Sequence, residues 1–505
     1  MRYFALLLFA VLLLQDLKAQ DGNNTLYFLA NQPQRMRLNP AYQPEYNAVV
    51  GLPVLSGVQV NYVNSSFGVD DFLKKRNFGA TDSIVMDING LHKALKNSNT
   101  ILFNNENSLL TIGFRVNSWY ATLDITQKND FSFSFKKELF TFLKDGNTPY
   151  IGKTFDLGGL GLKASVYDEI AVGLSKKVNN RLTVGGRFKV LMGIANADMT
   201  DSEMSVYTAE DGRTLRLQSR QNIRVSAPLR YTLDGPYVEW DNLEFDDDKI
   251  DAKFFMNTKN LGFGLDLGMD YDISSRLKLH ASLLDLGFIR WADNVHCFSQ
   301  NTVFDWKGAD LSHSMNENDP LYRNLNDAFE DMIDSLKNDF RLTDESGSYM
   351  KILQAKVYAG VTYDLHRIVN VGGLFKGVLA DGHFYPSLTA SVNTRLCRNV
   401  SASVSYTATL ENYVNVGAGI TAKAGPFQLY VITDNVLAAN FTSTHTASAR
   451  VGINLLFGHK QKVDARRAKR KKEAEENKVK VEKKETEDKT GGQEEDQSED
   501  GVIYF

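Results

Sequence analysis

From Leu261 to Tyr271 the chain reads Leu-Gly-Phe-Gly-Leu-Asp-Leu-Gly-Met-Asp-Tyr, apolar at every odd position and Gly or Asp at every even one. A side-chain period of two belongs to an extended strand whose two faces meet different surroundings. The pattern returns where Leu182, Val184, Phe188, Val190, Met192 and Ile194 stand against Arg181, Thr183, Arg187 and Lys189. It returns again where Val400, Ala402, Val404 and Tyr406 alternate with Ser401, Ser403, Ser405 and Thr407. These runs cover roughly nine to fifteen residues, more than the five or six of an ordinary strand and enough for a tilted strand to cross a bilayer. Their second face is rich in Gly, Ser, Asn and Thr, whereas a soluble sandwich would carry many charges there. The reading is an all-β chain folded as a transmembrane antiparallel β-barrel, which pairs every backbone group and leaves no edge in hydrocarbon.

Connection lengths support this independently, because outer-membrane barrels alternate short periplasmic turns with longer outer loops. Tight links fall at 116–118, 177–180, 272–275, 366–367, 396–399 and 423–426. Long outer loops are expected at 64–107, 128–162, 199–259 and 291–350, and shorter ones near 380–383, 411–412 and 434–444. Strand starts near 48, 108, 118, 163, 180, 260, 275, 352, 368, 384, 399, 413, 426 and 445 make about 14 strands. The even count puts both mature termini in the periplasm, with Ala449 to Gly458 closing a barrel over 47–458. Cys297 and Cys397 then fall at opposite ends, too far apart to bridge. Within the outer loops, Asp211-Gly212 signals a hairpin between Thr208 and Thr214. Asp319-Pro320 starts an amphipathic loop helix running to Phe340, which either caps the mouth or docks a partner.

The ends of the chain differ in kind. Residues 1–19 read as a secretory signal: Arg2, an apolar stretch to Leu14, and a small residue at Ala19. Residues 20–46 form a periplasmic N-terminal segment placed to serve as a plug. Residues 459–505 form a disordered charged tail, cationic to Lys472, then mixed in sign, ending Val-Ile-Tyr-Phe. Outer-membrane lipid is an expected partner, and the tail is placed to meet a periplasmic protein or the cell wall. The net charge of -4 gives no reason to expect nucleic acid.

The Leu38-Asn39-Pro40-Ala41-Tyr42 segment, the first strand Gly51 to Val58, Asp285 to Trp291 and Thr433 to Leu437 resemble a family of Bacteroidota outer-membrane barrels without an assigned activity. More distantly, the chain resembles the PorP/SprF barrels of type IX secretion and gliding, and the FadL-type transporters. The latter resemblance implies a fourteen-stranded barrel with an N-terminal plug that carries hydrophobic molecules inward; Asn39, Pro40 and Ala41 become plug candidates.

The inward face tests that implication. By alternation, Arg181, Arg187, Lys189, Asp266, Asp270, Lys356, Lys376 and Arg395 face the lumen, with few oily residues such as Leu191 and Leu374. An oily solute should meet apolar lining, so a fatty-acid duct fits poorly and mutual neutralisation of these charges fits better. No catalytic residue, cofactor or metal site is expected. A Gly-x-Ser-x-Gly elbow is missing, Gly152-Lys153-Thr154 lacks the earlier glycine of a phosphate loop, and the acidic run from Asp241 to Asp251 lacks calcium-loop spacing. Passive transport of small solutes across the outer membrane is the expected function. The alternative is an envelope scaffold or a secretion- or gliding-type assembly component that holds partners through its loops and tail. The sequence sets no oligomeric state.

Overall fold

A computed structural model describes residues 22–78, 81–239, 242–307, 339–345, 347–397, 399–409, 415–439 and 445–459. The expected signal, the expected tail beyond His459 and nearly all of the expected loop helix lie outside the described residues.

Fourteen antiparallel strands close into one barrel among these residues. β1 has two pieces, Tyr46–Gly51 and Val58–Asn64. β2 is Ser98–Val116, β3 Trp119–Lys136, β4 Gly161–Lys177 and β5 Leu182–Thr208. β6 is Leu261–Asp272, β7 Leu277–Trp291, and β8 joins Tyr349–Ile352 to Ala355–His366. β9 is Val369–Ala380, β10 His383–Cys397, β11 Val400–Thr409, β12 Asn415–Ala424, β13 Phe427–Thr433 and β14 Thr446–His459. Each pairs with its neighbour in sequence. β14 returns to β1 through Tyr46↔His459 and Val58↔Val451.

The alternation sets the two faces. On β10, Thr389, Ser391 and Asn393 are buried while Leu388 and Val392 are exposed, and Phe188, Leu267, Val404 and Leu429 continue this apolar outer belt. So wide an exposed apolar surface suits hydrocarbon and not water. No helix among the described residues is long and apolar enough to cross a membrane; the strands do the crossing.

Strands are longer at their upper ends than the sequence suggested. β2 begins at Ser98 rather than 108, because its first turns pair with the second piece of β1 and with the upper half of β3. β5 rises past β6, and its residues 196–208 pair instead with Leu215–Ser226, which pairs with Val295–Trp306. The expected hairpin stands at the tip: Ala209 N–H donates to the Thr214 carbonyl at 2.8 Å, and Gly212 takes a φ of 67°. Both cysteines carry free thiols.

Candidate functional site

No residue from 22 to 45 is in a strand, yet most of them are buried. A short helix α1, Asn24–Phe28, and a 3-10 turn, Pro33–Arg37, run along the inner wall. Leu26, Tyr27, Phe28 and Leu38 pack on Leu284, Tyr358, Leu374 and Tyr430 of the barrel, with Tyr27 stacked on Tyr358 at 5.6 Å. Of the two oily lumen residues expected from sequence, Leu374 covers the apolar side of the segment, while Leu191 packs with Tyr167, Ile289, Trp291 and Tyr349. The segment's polar side is held by wall groups. The Asp434 carboxylate accepts from the Asn23 and Thr25 amides, Thr25 Oγ1 meets Ser405 Oγ at 2.7 Å, and Gln34 Nε2 donates to Asn454 Oδ1 at 2.8 Å. Gly22, the first described residue, lies against Asn61 and Asp434. Residues 22–45 thus lie inside the barrel.

Asn39, Pro40 and Ala41 seat this segment near the tight-turn ends of β5 and β6. Asn39 Oδ1 accepts from the Ala41 amide at 2.9 Å, and its Nδ2 donates to Asp270 Oδ1 at 2.7 Å. Ser282 Oγ donates to the Leu38 carbonyl at 2.6 Å. A Cβ at Gly185 would overlap the Pro40 carbonyl, and one at Gly268 would overlap Asn39 Oδ1. These two wall glycines are the close-approach kind, where any side chain would occupy the segment's place.

Beside the segment the lumen holds a buried ionic cluster. Arg187 reaches Asp124 at 3.2 Å and Asp266 at 3.3 Å; Lys189 reaches Asp266 at 2.8 Å and also Asp285. Lys128 pairs with Glu169 at 2.8 Å, Lys356 with Asp285 at 3.1 Å, and Arg450 with Glu106 at 3.0 Å. Arg37, from the inner segment, joins at Asp124 with 3.3 Å. Buried ions are tolerated when paired and hydrogen-bonded in this way. Asp285 enters through a bulge: Leu284 and Asp285 together stand opposite Asp266, Asp285 has a φ of 58°, and its amide donates to Asp266 Oδ1 at 2.8 Å. The extra residue turns the carboxylate inward.

Of the residues assigned to the lumen from sequence, Arg187, Lys189, Asp266 and Lys356 meet in this cluster. Asp270 lies nearer the tight-turn end beneath Asn39, and also meets His280 Nδ1 at 2.8 Å. Lys376 is buried on β9. Arg181 is exposed in the turn before β5, and Arg395 is exposed near the end of β10, where it pairs with Glu45 at 2.8 Å; alternation names a face but not the point where the lumen ends. Asp124, Lys128, Glu169, Arg37 and Asp285 were not assigned to the lumen from sequence. The doublet Leu284-Asp285, which breaks the alternation of Leu279, Ala281 and Leu283, was the available signal for the last.

The family model "Family of unknown function (DUF5723)" matches residues 40–434. The chain belongs to that family. The match begins at Pro40, within the seated motif, and ends at Asp434, the carboxylate that holds α1. No curated protein matches in sequence. Among solved structures, the chain is similar to the toluene transporter TbuX of Ralstonia pickettii, at 9% identity over 85% of this chain and 95% of that one, with a TM-score of 0.39. It is also similar to a FadL homologue of Pseudomonas aeruginosa, at 10% identity over 86% and 96%, TM-score 0.40, and to the translocator domain of the autotransporter NalP from Neisseria meningitidis, at 8% identity over 81% and 88%, TM-score 0.29.

Proposed function

We propose that this DUF5723 protein is a plugged outer-membrane channel for small solutes, and that residues 22–45 are its plug. One observation carries the reading: the segment filling the lumen shares no β-ladder with the wall and is seated by side-chain hydrogen bonds and packing. A piece held this way leaves by breaking side-chain contacts while every strand of the barrel stays paired. The charges beside the plug favour a polar solute, since a hydrocarbon crossing that layer would leave them desolvated without return. The tight turns face the periplasm and the long extension of β5 faces outward, as in barrels of this kind.

Conductance of the full mature chain in a planar bilayer, compared with a chain lacking residues 22–45, tests this. Little conductance in the first and steady conductance in the second support a plug. Equal conductance in both removes the plug from the reading, and silence in both removes the channel.

A second reading, an envelope scaffold, draws on the sheet above the barrel, where β5, Leu215–Ser226 and Val295–Trp306 make a structured platform outside the membrane. Silence in both conductance experiments favours it.

A further inference from the structure

Between the seated segment and the ionic cluster lies a cavity of about 30 Å³, room for roughly two water-sized particles. Its walls are unevenly charged. Six cations line it, Arg37, Lys128, Arg187, Lys189, Lys356 and Arg450, against three carboxylates, Glu106, Glu169 and Asp285. Asp124 and Asp266, which bring the cluster to five carboxylates against the six cations, are not among its walls.

The guanidiniums show how this arises. Arg187 directs its two Nη atoms to Asp124 and Asp266, and its Nε is buried with no acceptor. Arg37 directs Nε and Nη2 to Asp124 and Thr111, and its Nη1 is left in the same state. Arg450 directs Nη2 to Asn23 and Glu106, and its Nε is left. Thr126 also lines the cavity; it is 2% exposed and its Oγ1 has no partner. Buried donors without acceptors are costly, and three of these four atoms are cationic donors that can only give a hydrogen bond; Glu169 Oε2, a wall oxygen that also has no hydrogen bond, faces Lys128 at 2.8 Å.

We propose that this cavity is a binding site for a small monovalent anion of about the size of chloride, held by the free N–H groups of Arg37, Arg187 and Arg450 and by the Thr126 hydroxyl. Water would satisfy the donors but not the one positive charge by which the six cations exceed the five carboxylates. Because Arg37 belongs to the inner segment and the other ligands to the barrel, the anion ties one to the other. The site needs the segment seated but not moving, so it stands whether or not the protein conducts.

The test uses the full mature chain in detergent. Crystals grown in sodium bromide are expected to show an anomalous peak between the three guanidiniums. In solution, the thermal midpoint is expected to rise saturably as bromide or chloride replaces gluconate at constant ionic strength. Thr126→Val should raise the half-saturating concentration by about tenfold, the effect of losing one good hydrogen bond. A cavity holding water with no anomalous peak overturns the proposal, as do equal midpoints in halide and gluconate. Should Thr126→Val fail to fold, the bromide measurement on the unaltered chain decides the matter alone.

Discussion

Gly185 of β5 lies directly beneath the carbonyl of Pro40, so closely that a Cβ there would overlap it. A side chain at this position therefore acts on the inner segment and leaves the outer face of the strand untouched. Gly185→Leu is expected to lift the Asn39-Pro40-Ala41 turn off the wall, at the cost of about 1–3 kcal/mol typical of overpacking. The measurable outcome is raised conductance and raised sensitivity of cells to large antibiotics, with the barrel still folded. A variant that folds and stays as silent as the parent would show that the turn does not hold the segment in place.

The ionic cluster should respond strongly to losing one member. Lys189→Met leaves Asp266 and Asp285 without their shared cation, and removing one partner of a buried pair costs about 3–5 kcal/mol. Urea unfolding of the purified barrel reads this directly, with the exposed Lys177→Met as control. Equal midpoints for the two variants would mean that water already reaches the cluster freely.

The outer belt makes a depth-dependent prediction. Phe188 is exposed in the middle of the belt and Leu365 near the end of β8. Arginine at a lipid-facing position costs about 2–4 kcal/mol at mid-bilayer and about 0–1 near the interface. Phe188→Arg should therefore unfold at much lower urea than Leu365→Arg when both are folded into vesicles. The reverse order would put the bilayer at a different height on the barrel.

The thiols report orientation. Cys297 lies in the upper extension and Cys397 at the end of β10 beside a tight turn. Intact cells treated with an impermeant maleimide should label Cys297, and Cys397 only after permeabilisation. Burial, and then the nearby Asp344 charge, hold the Cys297 thiol above its ordinary pKa. Its thiolate thus forms late, and its labelling rate should keep climbing with pH beyond the usual thiol range. Labelling of Cys397 alone on intact cells would invert the barrel.

Much of this architecture could be read before the structure, because a barrel writes its inside and outside onto alternate residues. Leu261 to Tyr271 and Val400 to Thr407 each name their lipid face without reference to any partner. Alternation also brought Arg187, Lys189 and Asp266 to the lumen. It could not place Asp285, whose bulge interrupts the period; the Asp211-Gly212 signal did point to two strands extended above the membrane, but not to where β5 parts from β6. Arg37 and Gln34 follow no period at all: they lie in irregular backbone, and their positions depend on wall residues such as Asp124 and Asn454, far away in sequence. The glycines of the inner face were visible as composition, but only the structure shows that Gly185 and Gly268 are spaces cut for Pro40 and Asn39.

The central claim is that the inner segment closes the barrel and must move for solutes to pass. Thr25 Oγ1 and Ser405 Oγ stand 2.7 Å apart, one on the segment and one on β11. In a chain with Cys297 and Cys397 replaced by Ser, Thr25→Cys with Ser405→Cys would let oxidation fasten the two together, and liposome swelling would read solute entry. Swelling that stops on oxidation and returns on reduction is the predicted result. Swelling that proceeds at the same rate with the disulfide formed would contradict it.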